Sequence, residues 1–338
     1  MKQKVGINGF GRIGRLVVRA FFEGYYENLQ LVAINSRGDP ETDLHMFKYD
    51  STYGIFEGDV KAGSNSIYIN RQELINLSYE EPKDIPWNEH DVDIVIECTG
   101  KFTDSKSAGK HLNNGAKKVI ISAPSKNEDI TMVMGVNHTD YIPSKHHIIS
   151  NASCTTNCVA PLIKVLEDNF GLQSAMMTTI HSYTNDQQIL DKRHKDKRRA
   201  RAAATNIIPT TTGAAKAVGT VIPKLKNRIN GMAVRVPTPT VSLTDVVATL
   251  TKKVTPDDIN HAYQDASTSH LRGILGLSMD PLVSSDYKKN SFSCVIDGLS
   301  TMTLGDNMVK VIGWYDNEWG YSVRTVEMAN YMASHDMR

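Results

Sequence analysis

A glycine-rich turn near the start of the chain constrains the fold more than any other feature. Gly9, Gly11 and Gly14 follow the short apolar run 5–8 and precede a stretch of helical periodicity at 15–21. In this context the glycines permit a tight turn and a close approach of the backbone to a pyrophosphate, which then rests on the helix N-terminus. The spacing therefore predicts a strand–turn–helix unit that binds a dinucleotide.

Apolar runs that alternate with helical stretches continue through the first half of the chain. Strands are predicted at 31–35, 92–96 and 117–122, with a polar helix at 104–113. This alternation is typical of a parallel, doubly wound sheet of the Rossmann type.

The pattern changes near residue 150, where longer period-2 runs begin. They predict a mainly antiparallel sheet with strands at 175–179, 232–236, 241–251 and 309–315. The predicted fold is thus α/β, with a Rossmann-type doubly wound parallel sheet plus an α+β catalytic domain.

A chain of 338 residues is long enough for two domains. We predict a dinucleotide-binding domain at 1–151 and 317–338, and a catalytic domain at 152–316. The helical stretch 319–337 is expected to pack back on the first domain.

Charge and cysteine content exclude several classes of protein. The net charge of +1 offers no electrostatic basis for a nucleic acid or membrane partner. Four cysteines in a chain of this length do not make a disulfide framework, and none of their spacings matches a metal site. Without a leader or a transmembrane run, a cytoplasmic location is expected.

A cysteine lies at a predicted helix start. The segment 150–158 reads Ser-Asn-Ala-Ser-Cys-Thr-Thr-Asn-Cys, after a β-rich run and before the apolar periodic stretch 162–170. Unpaired N–H groups and the helix dipole at such a position favour an anion, so they lower the pKa of the Cys154 thiol. A small buried cysteine without chemistry is the alternative.

A histidine is placed to serve as the base for this thiol. His181 ends the predicted strand 176–180, and lies 27 residues after Cys154. That gap accommodates one helix and one returning strand, which brings the strand end back near the helix start. A thiolate needs such a neighbouring base or cation.

Anion-binding elements follow in the same half of the chain. Thr210, Thr211, Thr212 and Gly213 precede an Ala-rich helical stretch, which predicts a second helix N-terminus that binds an anion. Arg235 lies inside a predicted strand, where its charge needs a partner. That partner is either a ligand or an internal carboxylate.

Taken together, these segments closely resemble the phosphorylating glyceraldehyde-3-phosphate dehydrogenases. The resemblance runs nearly end to end, through 8–15, 150–161, 181–187, 198–203, 209–218, 235–240 and 314–322. The Ser-Cys-Thr-Thr-Asn-Cys segment with the later His-Ser-Tyr-Thr is the most specific part.

The resemblance implies a reaction and a role for each matching residue. Cys154 would attack an aldehyde to form a thiohemiacetal and then a thioester, with His181 as base, and inorganic phosphate would release an acyl phosphate. Thr184 and Arg235 would hold the phosphate of the substrate. Inorganic phosphate would be held by Ser153, Thr155, Thr212 and Gly213, with Arg199. The cofactor would be bound by Gly9, Gly11, Arg12, Ile13, Gly14, Ser36, Arg37, Thr99, Ser122 and Asn317.

Departures from the family pattern concern the adenosine end of the cofactor. NAD-using relatives generally carry an aspartate where this chain has Ser36, and small or apolar residues where it has Lys192 and Arg193. Loss of an anion and gain of cations, with Arg37, favour a 2′-phosphate, whereas Asp39 could still reach round to the ribose hydroxyls. The cofactor is thus NAD or NADP, with a preference for NADP. The resemblance also implies a homotetramer in which the basic loop 191–201 reaches a neighbouring subunit.

Other readings compete with this one. Erythrose-4-phosphate dehydrogenase shares the scaffold but releases its acid by hydrolysis. A Cys-His hydrolase without a cofactor would use Cys154 and His181 but would leave the glycine turn without a role. A non-catalytic binding protein would use neither the cysteine nor the histidine. The physiological direction, glycolytic oxidation or NADPH-linked reduction in gluconeogenesis or carbon fixation, stays open.

Overall fold

The computed structural model describes residues 2–336, which form two compact units. The first unit takes in the described residues up to 132, together with 139–152 and 322–336. The second unit comprises 133–138 and 153–321. Three residues lie outside the described part: Met1, Met337 and Arg338. The predicted domains include all three, and the predicted last helix includes Met337.

A nine-stranded sheet forms the centre of the first unit. In spatial order its strands are β10 (Ile130–Thr131), β11 (Ile148–Ser150), β9 (Lys118–Ile121), β8 (Ile94–Glu97), β1 (Gln3–Asn8), β2 (Leu29–Asn35), β7 (Gln72–Leu77), β6 (Ser66–Ile69) and β5 (Val60–Ala62). All pairs from β10 to β7 are parallel. The chain runs outward from β1 through β2 and returns to its other side at β8. The predicted doubly wound sheet is confirmed, with its switch point between β1 and β8.

Four α-helices belong to the described part of the first unit. They are α1 (Arg12–Glu23), α2 (Pro40–Lys48), α3 (Ser105–Ala108) and most of α7 (Trp319–Asp336), and a small hairpin pairs β3 (Tyr49–Asp50) with β4 (Gly54–Ile55). Asp39 caps α2 by accepting the Thr42 N–H at 2.9 Å.

Two parts of the first unit differ from the sequence-based expectation. The predicted helix 104–113 is only the four-residue α3, followed by a 3-10 segment at Gly109–Asn114, because a glycine interrupts a run of weak helix formers. The antiparallel extension β5–β6–β7 was not predicted. Its strands are only three, four and six residues long, so no extended period-2 run marks them.

An eight-stranded sheet forms the second unit. Its order is β13 (Ile208–Thr210), β14 (Ile229–Val236), β12 (Leu172–Ser182), β15 (Ser242–Leu250), β19 (Met308–Tyr315), β17 (Cys294–Asp297) and β16 (Leu275–Ser278), with β18 (Met302–Leu304) on β19. The predicted mainly antiparallel character is confirmed, although β12–β14 and β16–β17 are parallel pairs. Buried and more exposed residues alternate along β15 and along most of β12, which leaves one face of the sheet uncovered.

Three helices pack on the other face of this sheet. They are α4 (Cys154–Phe170), α5 (Ala214–Val221) and α6 (Pro256–Thr268). Leu162, Ile163 and Leu166 of α4 are fully buried, as is Val246 of β15, which packs beneath this layer. This packing secures the helix whose first residue is Cys154. Among the described residues no helix is both long and apolar enough to span a bilayer.

Candidate active site

Cys154 is the first residue of α4, as its sequence context predicts. Ser153 is the N-cap, and its hydroxyl oxygen accepts the Thr156 N–H at 3.1 Å. The preceding residue, Ala152, has a φ of +52°, a left-handed conformation that is uncommon outside glycine. The turn thereby presents the Cys154 thiol at the positive end of the α4 dipole.

His181 contacts Cys154 directly. Its Nε2 lies 3.5 Å from the Cys154 sulfur, and its Nδ1 lies 2.7 Å from the Ser182 carbonyl oxygen. Nδ1 also lies 2.9 Å from Arg235 Nη1, which can only donate, so this nitrogen faces a donor as well as the Ser182 carbonyl. A hydrogen on Nδ1 bonds to that carbonyl and leaves the Nε2 lone pair facing the thiol. This tautomer is the one that a general base for Cys154 requires.

Arg235 completes this cluster from the neighbouring strand. Parallel register pairs it with His181, so both side chains lie on the same face of the sheet. Its Nη1 donates to the Ser182 carbonyl oxygen at 2.9 Å and to the Thr184 hydroxyl at 3.3 Å. Its buried Nε has no partner, and it forms no ion pair within residues 2–336. The internal carboxylate considered as an alternative is therefore absent there, and the guanidinium is left with an unused donor for an anionic ligand.

Burial dominates the electrostatics of the thiol and the imidazole. The helix start was expected to lower the pKa of Cys154, but burial raises it to about 11, while the charge of Arg235 and two hydrogen bonds with Thr155 act to lower it. Burial first, and Arg235 second, lower the pKa of His181 to about 3. The imidazole is consequently neutral and able to accept a proton. Transfer of the thiol proton to Nε2 would place opposite charges 3.5 Å apart, where each stabilises the other.

The other cysteines lack this environment. Burial raises the pKa of Cys98 to about 12, and only a hydrogen bond from Ser122 opposes it. Cys158, one turn along α4, is fully buried with its sulfur 3.7 Å from the Gly313 carbonyl oxygen. Neither has a cation among the causes that shift its pKa, which distinguishes them from Cys154.

A buried row of hydroxyl groups supports the start of α4. Thr155 Oγ1 lies 2.9 Å from the Tyr315 hydroxyl, which lies 2.8 Å from Thr179 Oγ1. The Tyr315 ring also meets the His181 ring edge-on at a centroid distance of 6.0 Å. The Thr155 hydroxyl is thus engaged inside the protein, unlike the phosphate ligand expected from the sequence.

A second group of polar residues surrounds Arg199. Its guanidinium donates to Thr210 Oγ1 at 3.0 Å and to the Thr211 carbonyl oxygen at 3.1 Å, and it is paired with Asp186. The same threonine run leads into α5, with Gly213 as its N-cap. A Cβ at Gly213 would meet nothing within 4 Å, so a ligand can approach the N-terminus of α5.

Asn317 is oriented by two serines of the second unit. Its Oδ1 accepts the hydroxyls of Ser182 at 2.9 Å and Ser242 at 3.0 Å, which directs its amide hydrogens elsewhere. Ser242 follows Val241, whose φ of +68° is a strained conformation for a β-branched residue. The Val241 side chain is held in place because it is buried in a hydrophobic cluster with Tyr287.

A cleft of about 400 Å³ lies in the first unit, beyond the carboxyl ends of β1, β2 and β8. This is where a doubly wound sheet binds a dinucleotide. Five of the predicted cofactor residues line it: Gly9, Gly11, Ser36, Arg37 and Thr99.

Each glycine of the turn has a separate structural reason. Gly9 has a φ of +95°, and a Cβ there would lie 2.7 Å from the Thr99 nitrogen. At Gly11 a Cβ would meet nothing, which leaves the space that a pyrophosphate would use. At Gly14 it would lie 2.0 Å from the Gly9 carbonyl oxygen, so this glycine permits α1 to pack on the turn. Since no side chain caps α1, its first N–H groups are available to an anion.

The remaining predicted cofactor residues lie apart from the cleft lining. The Arg12 guanidinium is paired with Asp50 and lies 5.2 Å from the centre of the Tyr53 ring. Ile13 is half-buried in the first turn of α1. The Ser122 hydroxyl donates to the Glu97 carbonyl oxygen at 2.9 Å, and Asn317 belongs to the second unit.

The residues expected near the adenosine end of the cofactor lie in the loop after β2 and in the basic loop of the second unit. The Ser36 hydroxyl donates to Asp43 at 2.9 Å and accepts the Gly38 N–H at 3.1 Å, so it shapes the loop. Arg37 is exposed at the cleft, and Asp39 is used as the cap of α2. Lys192 and Arg193 are exposed on the loop of the second unit, and within the described part of the chain neither forms an ion pair.

Several supporting residues carry no sequence signal of their own. Tyr315, Thr179 and Ser242 differ from their strand neighbours only in the face they occupy, which the period-2 pattern indicates without assigning a role. Glu80, whose role the sequence leaves unassigned, lines the cleft 3.8 Å from Lys101.

Comparisons with known proteins agree with this geometry. Residues 3–105 match the NAD binding domain of glyceraldehyde 3-phosphate dehydrogenase, and residues 153–317 match the C-terminal domain. The chain is 56% identical over 334 residues to the glyceraldehyde-3-phosphate dehydrogenase of Geobacillus stearothermophilus, covering 99% of each chain. It is 55% identical to glyceraldehyde-3-phosphate dehydrogenase 1 of Bacillus cereus, covering 98% of each. It is 51% identical to glyceraldehyde-3-phosphate dehydrogenase 2 of Bacillus subtilis, covering 99% of this chain and 98% of the relative.

Proposed function

The chain belongs to the glyceraldehyde-3-phosphate dehydrogenase family, and from that membership we propose how its own residues carry out the reaction. It is an NAD-dependent dehydrogenase that oxidises glyceraldehyde 3-phosphate and phosphorylates the product. The observation that carries the proposed mechanism is the 3.5 Å contact of Cys154 and His181 at the start of α4.

Cys154 is the nucleophile in this proposal. Its thiolate attacks the aldehyde carbon, and the carbonyl oxygen takes up a proton to give a thiohemiacetal on Sγ. His181 Nε2 then accepts the hydroxyl proton as that carbon is oxidised to the thioester. Bound NAD supplies the hydride acceptor for this oxidation. The N-terminus of α1 and the open space at Gly11 fit its pyrophosphate.

Two anion sites serve the two phosphates. Arg235 and Thr184 hold the phosphate of the substrate, and the unpartnered Nε of Arg235 supports this assignment. Ser153, Thr212 and Gly213, with Arg199 and the backbone at Thr155, hold inorganic phosphate. A phosphate oxygen attacks the thioester carbon, the carbon–sulfur bond breaks, and the thiolate of Cys154 is restored with release of the acyl phosphate.

The phosphate requirement tests this mechanism. Reduction of NAD at 340 nm should depend strictly on both glyceraldehyde 3-phosphate and inorganic phosphate. Turnover of erythrose 4-phosphate without phosphate would instead indicate the hydrolytic relative on the same scaffold. No absorbance change with any aldehyde would indicate a cofactor-free hydrolase.

We further infer that the enzyme accepts NADP and prefers it to NAD. Arg37 is exposed at the cleft, and the position that would carry a carboxylate is the hydroxyl of Ser36, which is turned toward Asp43. Nothing negative at residue 36 therefore opposes a 2′-phosphate, and a guanidinium is available to pair with it.

Cofactor specificity is tested by comparing kcat/KM for NADP and NAD. Arg37→Leu should lower kcat/KM for NADP about 10-fold or more and change the value for NAD less than about two-fold, because only NADP has the paired phosphate. The double substitution Lys192→Ala and Arg193→Ala should also lower kcat/KM for NADP more than kcat/KM for NAD. Lys195→Ala, in the same loop, is the matched control. A clear preference of the parent enzyme for NAD would overturn the inference.

A homotetramer is also proposed, since the second sheet has an uncovered apolar face. Met176 of β12 is 61% exposed and pairs with Val247 of β15, and Met308 is exposed on the next strand. Ile189 and Leu190, in the loop before Lys192, are exposed as well. A second copy of the chain would bury these surfaces.

All four cysteines are free thiols, which supports a reducing, cytoplasmic location.

The assembly is tested by light scattering after gel filtration. The parent should elute as four chains, and Val247→Glu should dissociate it, because a carboxylate would be buried against the partner without a cation. Tyr25→Glu, at an exposed position of the first unit, should leave the assembly intact. A monomeric parent enzyme would contradict the proposal.

A further inference from the structure

A buried carboxylate lies beneath the dinucleotide cleft. Glu97, the last residue of β8, is 1% exposed and forms no ion pair with lysine or arginine among residues 2–336. Such a charge is costly unless hydrogen bonds stabilise it. Its two oxygens accept hydrogen bonds from four donors, two on each oxygen.

Each oxygen of Glu97 has two of these donors. Oε1 accepts the backbone N–H of Thr99 at 2.8 Å and also the Thr99 hydroxyl. Oε2 accepts the side-chain amide of Asn8 and the Nε2 hydrogen of His111, whose nitrogen lies 3.1 Å away. Every one of these donors would lose its acceptor if the carboxylate were replaced by an apolar group.

The bond from Trp87 determines which hydrogen His111 carries. The indole Nε1 of Trp87 lies 2.9 Å from His111 Nδ1, and an indole nitrogen can only donate. Nδ1 therefore has no hydrogen, and the neutral ring carries its hydrogen on Nε2, directed at Glu97. His111 is a neutral donor to the carboxylate, because a second ring hydrogen would meet the Trp87 N–H.

The same network extends across three adjacent strands. Register pairs Asn8 with both Asn35 and Glu97, so the last residues of β2, β1 and β8 lie side by side. Asn8 Oδ1 accepts the Asn35 side-chain amide at 2.8 Å, and Asn35 Oδ1 accepts the Tyr79 N–H at 2.9 Å.

Four of the residues that this carboxylate holds, directly or through Asn8, line the cleft: Asn8, Asn35, Tyr79 and Thr99. Thr99 is also the residue against which Gly9 packs. We propose that Glu97 and His111 are positioning residues for the dinucleotide: they set the floor of the cleft from below without touching the ligand. This inference rests on the proposed function only in taking the cleft as the dinucleotide site.

Glu97→Gln is the sharpest test, because it preserves shape and removes one acceptor. Whichever way the glutamine amide is oriented, its NH₂ group faces two donors. Either Thr99, or Asn8 together with His111, therefore loses its hydrogen-bond acceptor. The dissociation constant for NAD and NADP, titrated without substrate, should rise about 10-fold or more, the effect of one unsatisfied buried group. At saturating cofactor kcat should stay within about three-fold, as should the rate of Cys154 alkylation. Glu73→Gln, which changes an exposed carboxylate bonded to Tyr68, is the matched control and should have no effect.

Two substitutions of His111 give an independent test if Glu97→Gln does not fold. An asparagine amide occupies the place of Nδ1 and retains the bond from Trp87, whereas a glutamine amide reaches the place of Nε2 and retains the bond to Glu97. His111→Asn should weaken dinucleotide binding several-fold more than His111→Gln.

Two results would overturn the proposal: a folded Glu97→Gln enzyme with cofactor dissociation constants within two-fold of the parent, or equal losses for the two His111 variants. A fall in kcat and in Cys154 reactivity that matches the loss of binding would also overturn it, as evidence of a merely structural role. Since binding is titrated without turnover, a parent enzyme that binds the dinucleotide but does not oxidise glyceraldehyde 3-phosphate would refute the proposed function alone.

Discussion

Replacing Cys154 with serine should lower kcat by about 10³-fold or more, because the reaction would lose its only nucleophile. A serine hydroxyl ionises far less readily than a thiol, and the 3.5 Å contact with His181 does not make up the difference. Steady-state reduction of NAD by glyceraldehyde 3-phosphate measures the effect. A rapid burst of reduced cofactor, which reports formation of the thioester in the parent enzyme, should be lost as well.

Cys158→Ala is the matched control for this substitution. Cys158 is one turn further along the same helix and is fully buried, so its replacement should cost about 1 kcal/mol of stability and leave kcat within about three-fold. Dinucleotide binding to the Cys154→Ser enzyme should be unchanged, which shows that the protein is folded. Turnover by Cys154→Ser within a few-fold of the parent would require the thioester mechanism to be abandoned.

Replacing His181 with alanine should lower kcat by about 10²- to 10⁴-fold, the range expected for loss of a general base. The neutral ring accepts a proton at Nε2, and no other group among the described residues is seen to contact the Cys154 sulfur as a base. The Michaelis constant for glyceraldehyde 3-phosphate should change less than kcat, because Arg235 and Thr184 remain. Steady-state kinetics at saturating cofactor separate the two effects.

Chemical rescue distinguishes a base from a packing residue at position 181. The alanine variant leaves a space the size of an imidazole ring beside the Ser182 carbonyl oxygen. Added imidazole should therefore restore part of kcat, and the apparent rate should follow the fraction of neutral imidazole as pH is varied. Alkylation should still modify one thiol at Cys154. Loss of activity that imidazole does not relieve, in a protein of normal stability, would point to a structural role instead.

Much of the first unit could be predicted because its signals are local. The positive φ of Gly9 and the close approach of Gly14 to the Gly9 carbonyl oxygen depend on the local backbone, so the glycine spacing predicts the turn between β1 and α1. The same holds for Cys154, where a small polar N-cap and a following apolar period predict the start of α4. The strands β5 to β7 were missed because short, half-exposed strands leave little pattern.

Long-range contacts were beyond any local rule. The pairing of Cys154 with His181 was predicted from their spacing and from the resemblance to a known family, whereas the supporting residues came from the structure alone. Thr155 was expected to hold phosphate, yet its hydroxyl meets Tyr315, 160 residues away. Ser36 lines the cleft, and its hydroxyl donates to Asp43, a contact that the sequence does not predict.

The amino-acid pattern alone was enough to establish the α/β class, the glycine turn, the helix that begins at Cys154 and the strand whose carboxyl end carries His181, because each depends on neighbours within about one turn or one strand. The tertiary structure decided the rest. Strand register places Arg235 beside His181, and joins Asn35, Asn8 and Glu97 at one edge of a sheet. The hydrogen bonds of Trp87, His111 and Glu97 arise only when distant segments are buried together, since a buried donor or acceptor takes whichever partner the packing brings within 3 Å.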